Sequence, residues 1–324
     1  MTLIRLLILA ASVLLLMLPH LPASMAGYLV MVSMSALLII PVNLLLTLFG
    51  SRWWRVAHGV VLLPSLPLLM AYVPMHPREA SNDATKLRII SWNVNNFKLH
   101  RDTMLRVARH IDSLQVDIAC LQERPHNLKV AWDDICHTFL RYPYAVRNKP
   151  EKTVLNMAIL SRYPIVGHGE QLFEHSRNEY MWADLQVGGD TLRVFNVHLQ
   201  TTGIRLSCKF KWLTVENALQ NAVERDRQND QLCLDIASSP HPVMVCGDFN
   251  DTPCGYPARN LRRRLTDFSN RWPLQGSFLP INSLLKIDYM FCSPTLRPLH
   301  YELPPTPWSD HKMQLGEVEI HPCP

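Results

Sequence analysis

Along residues 1–76 apolar positions run on with neither the alternation of a strand nor the polar face of a globular helix, and three stretches, 3–18, 28–48 and 56–72, read as helices. The second is long enough to cross about 30 Å of hydrocarbon at about 1.5 Å per residue, whereas the first and third are shorter and bounded or interrupted by proline. Beyond residue 76 the pattern changes. Residues 77–86 are polar and read as a linker. Short apolar runs then alternate with turns: 87–92 and 116–121 read as strands on either side of a helix at 102–114, whose Met104, Val107, Ala108, Ile111 and Leu114 share one face. Strands at 157–160, 181–187 and 192–198, a long helix at 217–236, and strands at 243–246, 287–292 and 316–320 complete the order. Strands in groups of two or three with few helices between them favour an α/β domain with mixed sheets over a purely parallel one. The chain divides into a transmembrane segment of about three helices (1–76), a linker (77–86) and a globular domain (87–324).

Charge sharpens this division. Residues 1–76 carry Arg5, Arg52 and Arg55 and no carboxylate, and removing those three leaves 29 Lys and Arg against 27 Asp and Glu, a balance of +2 for the rest. That balance lacks the strongly basic character expected of a nucleic-acid binder. With Arg5 before the first stretch and Arg52 and Arg55 between the second and third, the positive-inside rule directs the globular domain to the extracytoplasmic side. Cleavage near Ser24-Met25-Ala26, were the first stretch a signal peptide, leaves the domain on the same side. No ionisable residue lies deep in a span, so the segment reads as an anchor. All eight cysteines lie in the globular part, none in a CxxC or Cys/His zinc spacing, and Cys120 and Cys246 sit inside strand runs as small buried apolar residues.

Polar residues close the apolar strands repeatedly: Asn93 after Ile89-Ile90, Glu123 after 118–121, Asp248 and Asn250 after 243–246. In α/β folds neighbouring strand ends open onto a common crevice, where reactive groups gather. In Val194-Phe195-Asn196-Val197-His198 the period of two puts Asn196 and His198 on one face. Asp288, inside the apolar run 287–292, needs a partner if buried, and the His311 of Ser309-Asp310-His311 is the natural one. A carboxylate on one imidazole nitrogen raises the basicity of the other. Arg205, Lys209 and Lys211 could grip a phosphate, but loop cations of this kind, with Arg259 and Arg262 to Arg264, ordinarily read as solvated charges.

In order, SWNVNNF, LQER, FNVHLQ, CGDFNDTP, KIDYMF and SDHKMQ resemble the successive motifs of the endonuclease/exonuclease/phosphatase superfamily. That superfamily includes pancreatic-type deoxyribonuclease, abasic-site endonucleases, inositol polyphosphate 5-phosphatases and neutral sphingomyelinases. The resemblance covers about 87–320 and implies a four-layer sandwich of two mixed β-sheets flanked by helices. It implies Glu123 as principal Mg²⁺ ligand with Asn93 beside it and Asp310 as a second acid on the metal side, Mn²⁺ being the substitute cation. It implies Asp248 and Asn250 as the pair that orients the attacking water, Asp288 and His311 as a dyad, and His198 as a phosphate-facing histidine. The abasic-site branch usually has tyrosine at this last place, which argues against a repair endonuclease.

The expectation is a membrane-anchored, Mg²⁺-dependent phosphodiesterase or phosphatase whose water attacks in line. Its substrate is either nucleic acid or a phospholipid or phosphorylated headgroup, its other partner the bilayer that takes up the N-terminal helices, and no protein partner is implied. The alternative from another class is a membrane-bound scaffold that kept the fold and lost catalysis.

Overall fold

Residues Leu87, Ile89, Ser91 and Asn93 alternate with Ile90 and Trp92 along the first strand, β1 (Thr85–Asn93), and apolar side chains on both faces require a cover on each. The computed structural model describes residues 2–70, 78–79, 81, 85–124, 138–139, 141–148, 155–174, 176–203, 212–269, 276–278 and 285–320. One face of β1 meets a second sheet through Leu87 and Ile89, and the other meets a helix through Ile90 and Trp92.

That helix, Arg101–Ser113, leads to β2 (Ile118–Arg124), which pairs parallel with β1. β3 (Tyr144–Arg147), β4 (Asn156–Ser161), β11 (Arg297–Glu302) and β12 (Gln314–Ile320) complete a six-stranded sheet of order β11-β12-β1-β2-β4-β3. β5 (Ile165–Leu172), β6 (Glu179–Val187), β7 (Asp190–His198), β8 (Val243–Asp248), β9 (Thr266–Asp267) and β10 (Asp288–Cys292) form the second, of order β5-β6-β7-β8-β10-β9. Each sheet contains one parallel pair, β1/β2 and β7/β8, joined by a helical crossover, and is otherwise antiparallel. The second crossover helix, Trp212–Ala237, covers the outer face of its sheet with the short helix Tyr256–Arg262. Helix, sheet, sheet and helix make four layers around three apolar cores, the expected sandwich.

The strands that the pattern of apolar residues did not announce are mostly marginal ones. β3, mostly exposed, and β5, mostly half-buried, lie at sheet edges, and β9 is two residues long, so none needs a continuous apolar stripe. β1 begins at Thr85, inside the stretch expected to be linker.

At the N-terminus lie α1 (Thr2–Met17), α2 (Ala23–Ala26), α3 (Ala36–Leu48) and α4 (Arg52–Met70). Thr2–His20 is long and apolar enough to cross a membrane, as a span or as a signal sequence. The second expected stretch is not one straight helix: a 3-10 segment, Gly27–Ser35, precedes α3, and Ala23–Ser33 with Ala36–Leu48 passes the same test only as a pair bent by 63°. The third, α4, begins on Arg52 and Arg55 and contains Pro64 and Pro67; residues 71 and 72 of that stretch lie outside the described residues.

Gly247 is where the two parallel strands of the second sheet come closest. Its φ is +145°, and a Cβ there would lie 2.0 Å from the Val197 carbonyl oxygen. Gly247→Ala is expected to destabilise the fold by about 3 kcal/mol, read as a lowered thermal midpoint in circular dichroism. A parental midpoint would show that β8 tolerates a side chain there.

Candidate active site

The face shared by the two sheets changes chemistry from one end to the other. Below lie Ile89, Cys120, Val194, Cys246 and Met290; next comes a layer of Ser91, Gln122 and Asn196; the last positions are Asn93, His198, Asp248 and Asp288. In the middle layer Gln122 Nε2 donates to Ser91 Oγ (3.0 Å) and across the sheets to Asn196 Oδ1 (2.7 Å), while Asn196 Nδ2 donates to the carbonyls of Leu121 and Ala158. These bonds satisfy most of the polar groups that separate the apolar core from the charges above it.

Asp248 and Asp288 stand opposite one another on β8 and β10, both almost fully buried. His311 reaches them from the turn before β12: Nδ1 lies 3.0 Å from Asp288 Oδ2 and Nε2 lies 3.6 Å from Asp248 Oδ2. The turn is fixed by Ser309 Oγ donating to Asn93 O (2.6 Å), by His311 N donating to Ser309 Oγ (3.1 Å), and by Trp92 Nε1 donating to His311 O (3.0 Å). Burial lowers the basicity of His311, but the charges of Asp288 and Asp248, the hydrogen bond to Asp288 and the charge of Asp310 outweigh it and bring its pKa to about 10. Burial pushes Asp248 up, and the net effect of His311, Asp288, His198 and the Asn250 N–H leaves it at about 6. His311 is thus an imidazolium at neutral pH, lying between the two aspartates.

Glu123 closes β2 with φ +49°, at a register shift between Leu121 and Arg124 that turns its side chain toward the site. It accepts from Asn93 Nδ2 (3.0 Å) and lies 3.2 Å from His198 Nε2. Its side chain is 26% exposed, against 2% for Asp248, which makes it the carboxylate open to solvent. Burial raises it, yet the hydrogen bonds from His198 and Asn93 and the His311 charge hold its pKa well below the ordinary carboxylate value. His198 is itself oriented by Asn178, whose Nδ2 lies 2.8 Å from Nδ1 and also donates to Leu199 O. That second bond fixes the amide, so Nδ1 faces a donor and the ring proton sits on Nε2, toward Glu123 and Asp248.

Asn93 Nδ2 also lies 3.3 Å from Asp248 Oδ2, so Asn93, Glu123, His198, Asp248, Asp288 and His311 form one connected cluster. Asp310 joins through Asn95, which donates to its Oδ1 (2.9 Å). Asn250, with φ +52°, caps the Asp248 carboxylate with its backbone N–H and spends its side-chain amide on Leu199 O. Arg262, read from the sequence as a solvated charge, instead clamps Asp267 at 2.7 Å and donates to Pro253 O, bracing the loop after β8. Arg263 and Arg264 are exposed, while Arg205, Lys209 and Lys211 lie outside the described residues. Asn178 and Asn95 had no sequence signal, since an asparagine beside a strand looks like any turn former.

The oxygen-rich donors around Glu123, without a thiolate, suit a hard divalent cation. Asp248, Asp288 and His311 also place potential ligand atoms within 4.8 Å of one another. There the imidazolium offsets one of the two carboxylate charges and is buried with them, so the ionised, partly open Glu123 is the better-fitting anion.

The sequence model of the Endonuclease/Exonuclease/phosphatase family matches residues 90–311. No curated protein matches the chain in sequence. Among solved structures, an endonuclease/exonuclease/phosphatase from Bacteroides vulgatus superposes with a TM-score of 0.56 at 17% identity, over 73% of this chain and 100% of that one. The human Nocturnin catalytic domain with bound sulfate gives 0.53 at 17%, over 72% and 93%. D. rerio TDP2 complexed with single strand DNA product gives 0.56 at 18%, over 72% and 99%. At these identities the likeness is one of fold.

One buried group beside the site has no such account. Glu179 pairs with His198 across β6 and β7, is fully buried, and among the described residues neither of its carboxylate oxygens meets a hydrogen-bond donor. Burial, reinforced by the Glu170 charge and only partly offset by Arg124, pushes it up to about 8. A carboxyl raised in the folded state contributes its full stability below the unfolded value near 4.5 and loses it as pH rises through about 8. Glu179→Gln is therefore expected to raise the thermal midpoint by several degrees at pH 8 and to change it little near pH 4. A gain of equal size at both pH values would remove the titration of Glu179 as its cause.

Proposed function

The chain belongs to the endonuclease/exonuclease/phosphatase family, whose members hydrolyse phosphoester bonds, and from that premise we propose that it is a divalent-metal-dependent phosphoesterase acting on a nucleic acid or a lipid headgroup. The observation that carries this reading is the charge pattern of the cluster: a solvent-open, ionised Glu123 beside an imidazolium held between Asp288 and Asp248. A phosphate ester presents anionic oxygens and a phosphorus in need of a nucleophile, and the two halves of this pattern answer those two needs.

Glu123, with Asn93 and Asp310, would hold Mg²⁺ or Mn²⁺. Bound there, the cation supplies Lewis-acid polarisation of the phosphoryl oxygens. Asp248 aligns the attacking water and takes its proton, since a pKa of about 6 leaves it largely ionised at neutral pH. His311, already protonated, acts as a donor to a phosphoryl oxygen through Nε2 and is held for that task by Asp288 at Nδ1. His198 Nε2–H serves the same anionic region, with its tautomer set by Asn178. The water oxygen forms the new P–O bond, the bond from phosphorus to the ester oxygen breaks, and the leaving alcohol collects a proton.

The division into an anchor of residues 1–76, a linker of 77–86 and a catalytic domain of 87–324 is part of the same proposal, as is the extracytoplasmic placement of the domain.

Glu123→Gln keeps the shape and removes one anionic ligand, so the Mg²⁺ concentration for half-maximal hydrolysis of bis-nitrophenyl phosphate is expected to rise at least about tenfold with an unchanged thermal midpoint. Parental activity at low Mg²⁺ would take Glu123 out of the metal site.

The His311 and Asp288 pair predicts non-additivity. His311→Ala alone is expected to cost about a thousandfold in kcat, and adding Asp288→Asn to cost little more. Losses that multiply, in variants whose unfolding matches the parent, would mean that His311 works without Asp288.

A further inference from the structure

The N-terminal helices have two ends of different character. At one end Arg5 donates to the carbonyls of Leu46 and Phe49 and lies over the Trp54 ring, close to Arg52 and Arg55 in the chain. At the other, Leu15 of α1, Ile39 and Ile40 of α3 and Leu62 of α4 come together. α1 and α4 extend about 24 and 28 Å by their residue counts, close to the hydrocarbon thickness of a bilayer. Of the large apolar side chains exposed among the described residues, all but Tyr144, Val166 and Leu234 lie between Leu3 and Leu66. A continuous apolar surface on helices without a carboxylate fits hydrocarbon as its occupant.

The end without arginines does not hang free. Cys254 is buried in the same cluster as Leu15, Ile39 and Leu62. Ala222 of the crossover helix packs on Leu18, Ala23 and Val30, and Asp226 accepts from Ala23 N at 2.6 Å. Arg259 Nη2 lies 3.0 Å from His20 Nδ1.

These contacts all fall at the end of the sandwich where the candidate active site opens. Cys254 follows Asp248 by six residues, a chain reach of at most about 20 Å. Gln200, two residues past His198, bonds to Asn221, Arg225 and Gln228 of the crossover helix, so the stretch of that helix with Ala222 and Asp226 lies beside the end of β7 that carries His198. The linker reinforces the point: Arg78 N donates to Leu299 O and Ser81 N to Glu319, whose residue pairs with Lys86 near the start of β1, the far end of the domain. The helices are therefore seated beside the mouth and not beside the point where β1 begins.

From this juxtaposition we infer that the mouth faces the membrane surface and that the site takes a phosphate ester carried by a membrane lipid. The inference rests on the phosphoesterase reading above and names its substrate class. A headgroup layer of about 6 Å on each side of the hydrocarbon puts lipid phosphates beside the loop that carries Asp248 and Asn250, whereas a nucleic acid would have to enter between the mouth and the bilayer. The balance of only +2 outside residues 1–76 offers a polyanion no compensating attraction.

The test uses the full chain in phosphatidylcholine nanodiscs containing phosphatidylglycerol, sphingomyelin or a phosphatidylinositol phosphate in turn, with the His311→Ala chain as blank. The comparison substrates are the soluble dihexanoyl form of each lipid, bis-nitrophenyl phosphate and single-stranded DNA. The expected result is hydrolysis of at least one long-chain lipid with kcat/KM about a hundredfold above its dihexanoyl form, from the raised effective concentration at the surface. Hydrolysis of bis-nitrophenyl phosphate or DNA, lost in the blank, with every disc lipid untouched would overturn the lipid inference and leave the phosphoesterase standing. No hydrolysis of any substrate above the blank would overturn both. Orientation is read separately from fluorophores at Thr201→Cys, just past β7 at the mouth, and Gly189→Cys, in the turn at the far end. Headgroup-borne quenchers are expected to quench the first and spare the second, and equal or reversed quenching refutes the orientation.

Discussion

Two buried carboxylates facing each other are the constraint around which this molecule is arranged. Asp248 and Asp288 sit in register on neighbouring strands, and at an effective dielectric of about 20 two charges some 4 Å apart repel by roughly 4 kcal/mol. The second sheet cannot carry that pair alone. The cation that offsets half of that charge, His311, comes from the first sheet, on a turn locked to the end of β1 through Ser309 and Trp92. The charge balance of one sheet thus depends on correct packing against the other, and truncating His311 would leave the carboxylates uncompensated in a nearly dry site.

Such a site needs insulation from the apolar core beneath it. The layer of Ser91, Gln122 and Asn196 provides it, since its amides bond across the two sheets and leave Ile89, Cys246 and Met290 below with no polar neighbour to satisfy. Backbone strain sits directly above this layer. Glu123 and Asn250 both have positive φ, and in each case the conformation lifts the residue out of strand alternation: Glu123 toward solvent and His198, Asn250 so that its N–H caps Asp248.

This distribution explains what a reader of the sequence can and cannot see. Asp288 stands out because a carboxylate between Ile287 and Tyr289 contradicts its surroundings, and His311 because it is the only available kind of remedy in the next motif. The eight candidate positions and the four-layer, two-sheet architecture were legible on such grounds and through the motif resemblance, while the order of strands within each sheet was not. Asn178 was not, because its importance lies in which nitrogen of His198 it faces, a matter of three-dimensional register alone. Glu179 was equally silent: in a run of alternating residues its side chain could have reached solvent, and only the closure of the sheets buries it. β3 and β5, strands at sheet edges, carry no core stripe to read. The straight second span was overread, since apolar composition fixes the total burial of 28–48 and not the 3-10 turn and bend within it.

The same lesson applies to the N-terminal helices. Composition presents residues 1–76 as a tether with nothing to say to the rest, because a tether and a docked bundle have identical hydropathy. What separates them is on the domain's side of the contact: an alanine at 222 where the helix needs close approach, an aspartate at 226 that meets a backbone N–H, and a cysteine at 254 that fills an apolar gap. Each residue is unremarkable in its own element. Together they mean that the loop following Asp248 is packed on one side by the N-terminal helices and braced on the other by Arg262 at Pro253, so the geometry around Asp248 depends on both. A domain without its helices would expose Ala222 and Cys254 and loosen that loop, which ties the chemistry of the site to the segment that looks least concerned with it.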